Sequence, residues 1–195
     1  MADRPTEPTL AAAARDVQTV TSAGVPVSRT IDGVRTLAPV VHVDHRGRVF
    51  ELFPGLDAYW QEPVVYCYAW TVRAGMMKGW GLHERKTDRY TLIAGEILLF
   101  LYDARPASPT HGLVQRVPLT EGGIRQVTIP MGVWHLSMNI GEREAFLVNH
   151  PTNAYEHAAP DRYLLPWDTE TIPVRLRDFF PIQALGAYGD PCRHP

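Results

Sequence analysis

Two histidines and two carboxylates carry the chemistry this sequence suggests. His83 ends GMMKGWGLH, Asp88 follows in ERKTDRY, His135 sits in IPMGVWHLSMN, and Asp168 comes late, in LLPWDTETIP. An imidazole titrates at about pH 6.5, so it can take and return a proton near neutrality. A carboxylate on its second ring nitrogen fixes the tautomer and raises the basicity. Asp168, arriving from a distant and irregular segment, is a candidate partner of that kind for His83, and it would equally suit a plain turn. His83, Asp88 and His135 could instead converge as three ligands on one face of a metal ion. Lys78, Trp80, Lys86, Arg89 and Tyr90 surround the same stretch. In a strand, alternation sends Asp88 and Tyr90 to one face and Arg89 to the other. Trp80 and Trp134 suit ligand stacking and barrel packing equally well.

The elements that must position these groups read as strands. From Val34 to His150 the chain is a series of short runs rich in Val, Ile, Leu and aromatics, separated by HRG, RAG, AGE, RPASPTHG, TEGG and NIGE. That rhythm predicts an all-β sandwich or barrel, with Asp44–Phe53 among the strands. A parallel α/β fold would need helices between the strands, and there is no room for them. GMMKGWGLH reads as a Gly-broken turn that leads into a strand. LAAAARDVQTV predicts a short N-terminal helix, and a second is expected near Arg175–Leu185. The expected division is an extension over 1–30, a barrel over 31–175, and a C-terminal extension over 176–195.

Composition narrows the partners. The 195 residues suggest one domain with extensions. The formal charge of −2 gives no reason to expect nucleic acid or an anionic membrane. Cys67 and Cys192, far apart, do not make a disulfide framework and fit a reducing cytoplasm. No apolar stretch reaches the roughly 20 residues needed to span a bilayer, and the N-terminus lacks a signal-peptide core.

Pro130, Gly132, His135 and Asn139 match the cupin signature P-x-G-x-x-H-x-x-x-N, and His83, Asp88 and Gly95 match the tail of its upstream companion. A cupin is a small jelly roll whose strands aim such side chains into one barrel. Metal cupins carry H-x-H before the carboxylate, and here Gly81 replaces the first of that pair. More of the chain, about Ile31 to Val174, resembles the dTDP-4-dehydrorhamnose 3,5-epimerases and their sugar-nucleotide-modifying relatives. DHRGRVFE, GMMKGWGLH, YDARPASPTHG, IPMGVWH and LLPWD are similar to that family's strings.

The resemblance implies a metal-free, cofactor-free dimeric jelly roll that shares strands or arms between subunits. It implies that His83 removes a proton beside the 4-keto group of a sugar nucleotide, that Asp168 is its dyad carboxylate, and that His135 contacts substrate. It implies that Arg46 and Glu51 reach toward the neighbouring subunit's nucleotide. Val148 stands where the family has its acid tyrosine, and Tyr155, offset from that place, is read as a substrate contact. The family's enolate-stabilising lysine falls near Asp88 or Arg89, which leaves Lys78, Lys86 or Arg89 to supply the cation. The expected function is an epimerase-type isomerase. The alternatives are a non-catalytic sugar-binding relative, and a metal-dependent cupin using His83, Asp88 and His135.

Overall fold

The computed structural model describes residues 11–24 and 27–179. The strands are β1 (Arg35–Leu37), β2 (Val41–Asp44), β3 (Gly47–Phe50), β4 (Tyr68–Val72), β5 (Met77–Leu82), β6 (Asp88–Ala94), β7 (Glu96–Asp103), β8 (Val114–Thr120), β9 (Gln126–Ile129), β10 (Val133–Asn139), β11 (Ala145–Asn149) and β12 (Tyr163–Leu164). Two five-stranded sheets form, in the orders β1-β9-β6-β11-β4 and β12-β5-β10-β7-β8, and β2 and β3 make a separate hairpin. All the pairings are antiparallel. The expected jelly roll is therefore the observed fold.

The period of two in the strands explains how the core is divided. Leu92, Val127 and Leu147 from the first sheet pack with Leu99, Leu101 and Leu119 from the second, forming the barrel interior. The opposite face of the second sheet carries Trp80, Phe100, Leu136 and Met138, covered by Leu165, Trp167, Ile172 and Leu176 from the C-terminal segment. Burial of such side chains, about 2 kcal/mol each, holds the layers together. At one end of the barrel the interior turns polar, with Asp88, His135, Ser137 and Asn149 all buried.

Three strand expectations change. GMMKGWGLH is no turn: Met77–Leu82 is a strand pairing with β10, with an irregular register between His135 and Ser137. Its glycines answer to close approach. At Gly79, with φ of +117°, a Cβ would lie 2.5 Å from the His135 carbonyl oxygen. Asp44–Phe53 is not one strand: it holds the turn and second strand of the Val41–Phe50 hairpin, turned where Asp44 Oδ1 accepts the Arg46 backbone N–H at 2.8 Å. PVVYCYAWTV is a strand only from Tyr68 onward.

Ala11 is helical, but the expected N-terminal helix does not continue over residues 12–20, which are exposed along their whole length and so have no apolar face to bury. Leu10 lies outside the described residues. The C-terminal helix is one 3-10 turn, Leu176–Phe179, and the rest of that expected segment also lies outside.

Candidate active site

The polar end of the barrel opens into a cavity of about 400 Å³, with His83 and His135 in its wall. His83 follows β5, His135 lies on β10 and Asp88 starts β6, so the pleat of three strands turns these side chains to one place. His83 Nε2 lies 3.2 Å from Asp88 Oδ2, and His135 Nε2 lies 3.6 Å from the same oxygen. The two imidazole rings are 5.3 Å apart. His83 Nδ1 bonds the Asp161 carbonyl oxygen, and His135 Nδ1 faces the Val133 carbonyl oxygen at 3.2 Å. With N–H donated at both Nδ1 atoms, the two Nε2 atoms carry the lone pairs of the neutral rings, and both lie beside Asp88 Oδ2.

Electrostatics separates the members of this cluster. Burial alone would raise the Asp88 carboxyl. Bonds and charges from His83 and His135, with the Asn149 amide, outweigh burial and bring it down to about 2, so it is ionised at neutrality. Desolvation brings His135 down to about 4, against the pull of Asp88, which leaves it neutral. Asn149 Nδ2 donates to Asp88 Oδ1 at 2.8 Å and the Tyr90 hydroxyl donates to Oδ2 at 3.3 Å, completing the carboxylate's shell.

The same three groups could hold a cation. Their ligand atoms all lie within 4.8 Å of one another. The separations of 3.2 and 3.6 Å are close to the edge of about 3.3 Å that a tetrahedral ion with bonds of about 2 Å requires. Gly81 leaves open the place of a further ligand: a Cβ there would stand 3.4 Å from His135 Nε2.

The structure redistributes the other expected site residues. Lys78, Lys86 and Tyr155 line the cavity with the histidines. Lys86 is buried with its Nζ 5.6 Å from the Tyr155 ring centre, and Lys78 Nζ lies 5.9 Å from that of Trp70. Asp168 is not brought to His83; it lines a different concavity, with Trp167 and Arg175. Its segment runs over the outer face of the second sheet, and the groups that stand beside the His83 ring are Asp88 and the Asp161 carbonyl.

Trp80 is 1% exposed and packs in the outer cluster against Phe100, because the irregular strand turns it away from the cavity. Arg89 also points away. Its guanidinium donates to the carbonyls of Glu62, Pro63 and His150 and lies over the Trp60 ring, clamping residues 60–63 onto the sheet. Arg46 and Glu51 lie on or beside the hairpin, outside the cavity. Arg46 is exposed and paired with Asp44 at 2.6 Å.

Sequence reading missed several wall residues. Tyr66, Tyr68 and Trp70 come from one strand and its approach, and their spacing of two was a usable signal for one shared face. Ser137 follows His135 by the same period. Nothing local marked Arg162, which comes from the segment before β12, or Asn149, which closes β11.

The sequence pattern of the dTDP-4-dehydrorhamnose 3,5-epimerase family matches residues 28–183, and the chain belongs to that family. It is accordingly an epimerase-type isomerase of sugar nucleotides. Among similar proteins, the probable low-salt glycan biosynthesis epimerase Agl13 of Haloferax volcanii is 33% identical over 130 residues, covering 66% of this chain and 83% of its own. The spore coat polysaccharide biosynthesis protein SpsL of Bacillus subtilis is 30% identical over 146 residues, covering 73% and 93%.

Two solved structures share the fold. A dTDP sugar isomerase from Desulfovibrio desulfuricans G20 has a TM-score of 0.69 at 24% identity, over 74% of this chain and 91% of that one. The 3'-monoepimerase ChmJ of Streptomyces bikiniensis, in complex with dTDP-quinovose, has a TM-score of 0.68 at 23% identity, over 78% and 79%.

Proposed function

We propose that the enzyme inverts a carbon beside the keto group of a 4-keto sugar nucleotide, with His83 as the base. The observation that carries this reading is the meeting of His83 Nε2 with the buried, ionised Asp88 at the cavity wall. The Asp161 carbonyl accepts Nδ1–H, which leaves Nε2, beside Asp88 at the cavity wall, as the ring atom that takes the proton. As a proton arrives on Nε2, Asp88 stabilises the imidazolium. The enolate that forms needs a compensating charge at its oxygen. Lys86, Lys78 and Arg162 line the same cavity, and of these the lysines are taken as the cations for it. Asp88 thus replaces Asp168 as the carboxylate serving the base.

The working molecule in this reading is a cytoplasmic homodimer. The β2–β3 hairpin carries Val43 at 74% and Val49 at 64% exposure, an apolar surface that a second copy would cover. Arg46 and Glu51 would then reach the partner's nucleotide. Light scattering tests this, and a monomer at micromolar concentration would oppose it.

The chemical test is solvent-deuterium exchange into a dTDP-4-keto-6-deoxy sugar. Wild type is expected to exchange the proton beside the ketone, and His83→Ala to lose that exchange. Exchange at the wild-type rate in His83→Ala would remove His83 as the base. The spacing of His83, Asp88 and His135 favours one second reading, a metal-dependent reaction at the same cluster. A stoichiometric metal in purified protein, with exchange abolished by a chelator, would select it.

A further inference from the structure

Inversion needs two protonic groups. A proton leaves one face of the carbon and another must arrive on the opposite face, and a single histidine serves only the face it touches. Where relatives are expected to place an acid tyrosine, this chain has Val148, which pairs with Ala69 and Thr91 and does not line the cavity. The donor must come from elsewhere in the wall.

Four tyrosines line the cavity: Tyr66, Tyr68, Tyr90 and Tyr155. They differ in what their hydroxyls do. The Tyr90 hydroxyl donates to Asp88 Oδ2, so its proton is committed. Tyr155 packs edge-on against His157, and Tyr66 lies tilted beside Tyr68; among the described residues, neither phenol oxygen is fixed by a hydrogen bond. The Tyr68 oxygen accepts a bond of 3.0 Å from Asn149 Nδ2. That bond fixes the oxygen and leaves the O–H free to donate.

Asn149 stands opposite Tyr68 in one pairing and opposite Tyr90 in the other, and the same Nδ2 donates to Asp88 Oδ1 at 2.8 Å. One amide therefore fixes the Tyr68 oxygen relative to the carboxylate that serves His83. Burial and the Asp88 charge raise the Tyr68 phenol to about 12, so it carries its proton at neutral pH.

We propose that Tyr68 is the proton donor of the inversion, with Asn149 as its positioning residue; this rests on the reading of His83 as base. The step balances without a co-reactant. His83 Nε2 takes the proton beside the ketone, giving an imidazolium and an enolate. The C–H electron pair becomes the enolate π bond, and the former C=O pair resides on oxygen. When the ketone re-forms, that carbon takes the Tyr68 proton on its other face. The phenolate, held by the Asn149 N–H, regains a proton from water, and the imidazolium loses one to water. Configuration is inverted and nothing is oxidised or reduced.

The test separates exchange from inversion in one set of proteins, with a dTDP-4-keto-6-deoxy sugar in deuterium oxide. Tyr68→Phe is expected to keep exchange within about tenfold of wild type while the inverted product falls by at least about 100-fold. Tyr66→Phe is expected to show no such split between exchange and inversion. Inversion at the wild-type rate in Tyr68→Phe would overturn the assignment, as would the same split appearing in Tyr66→Phe. Loss of exchange and inversion together would make Tyr68 a positioning residue and overturn it too.

A second variant guards against a loosened fold. A fluorinated tyrosine at position 68 keeps the ring and hydroxyl but ionises more readily. It is expected to move the alkaline limit of inversion to lower pH, and an unmoved limit would count against Tyr68. Failure of the base reading has a different signature: exchange that survives His83→Ala, whatever Tyr68→Phe does.

Discussion

Two buried aspartates, Asp103 and Asp88, sit at the ends of neighbouring stretches of this chain and are used in opposite ways. Asp103, the last residue of β7, is fully buried at the start of the turn that follows. Its carboxylate accepts from the Arg105 backbone N–H at 3.1 Å, from the Arg105 guanidinium at 2.8 and 2.9 Å, and from the Ser108 and Thr110 hydroxyls at 2.6 and 2.7 Å. All those donors lie within seven residues. Arg105 then reaches back to the Asp32 carbonyl at 2.7 Å and ties the turn to the chain before β1. The bonds to Arg105, Ser108 and Thr110 outweigh burial and hold this carboxyl far below the usual range.

Asp88 takes its partners from β6 itself, from the end of β5, from β10 and from β11, and two of the four are imidazoles that can gain or lose a proton. The first carboxylate is saturated with donors that stay charged or neutral through the working pH range, so it can only hold structure. The second shares its oxygens with two imidazoles, at the edge of a cavity. Burial is common to both, and the protonic character of the partners makes the difference.

Breaking the saturated cluster should have the largest effect on stability. Asp103→Ala leaves a partly buried guanidinium and two hydroxyls without their acceptor. It is expected to cost roughly 3 kcal/mol in chemical unfolding, while the fraction that stays folded keeps its turnover. A loss below about 1 kcal/mol would show that this turn does not anchor the chain before β1.

His135 gives the next effect, and its sign follows from linkage. Its folded pKa, about 4, lies below the ordinary histidine value of 6.5, so the unfolded chain binds more protons between those limits. Stability is therefore fully present above about pH 6.5 and falls as the pH drops toward 4, by something on the order of 3 kcal/mol. His135→Gln is expected to flatten that slope in denaturant titrations at pH 7 and pH 4.5. An unchanged slope would mean that the histidine is not held neutral by burial.

The smallest effect belongs to Arg46. It is exposed and paired with the exposed Asp44 beside it, so Arg46→Ala is expected to leave the melting temperature where it is. It should raise KM if the hairpin reaches a partner's nucleotide. An unchanged KM would remove Arg46 from substrate binding.

The same contrast explains what could be read in advance. The jelly roll was legible because short alternating runs and turn residues report strands locally, and YDARPASPTHG was legible because its donors and acceptor lie within one turn. His83 and His135 were legible from their signatures. The carboxylate beside His83 was not. Asp168 and Asp88 are both in reach of His83 along some imaginable path of the chain, and only the pairing of β5, β6 and β10 decides between them. Trp80 misled because an irregular register turns its face, and neither glycine spacing nor residue type reveals that. Tyr68 and Asn149 owe their meeting to the register of β4 with β11, a contact 81 residues apart in sequence.

In the proposed mechanism Asp88, and not Asp168, serves the base. The direct measurement is solvent-deuterium exchange into a dTDP-4-keto-6-deoxy sugar by Asp88→Asn and Asp168→Asn, prepared and assayed together. Exchange is expected to fall by about 100-fold or more in Asp88→Asn, where the amide cannot stabilise the imidazolium, and to stay within about twofold of wild type in Asp168→Asn. Near-normal exchange in Asp88→Asn with a collapse in Asp168→Asn would contradict that assignment.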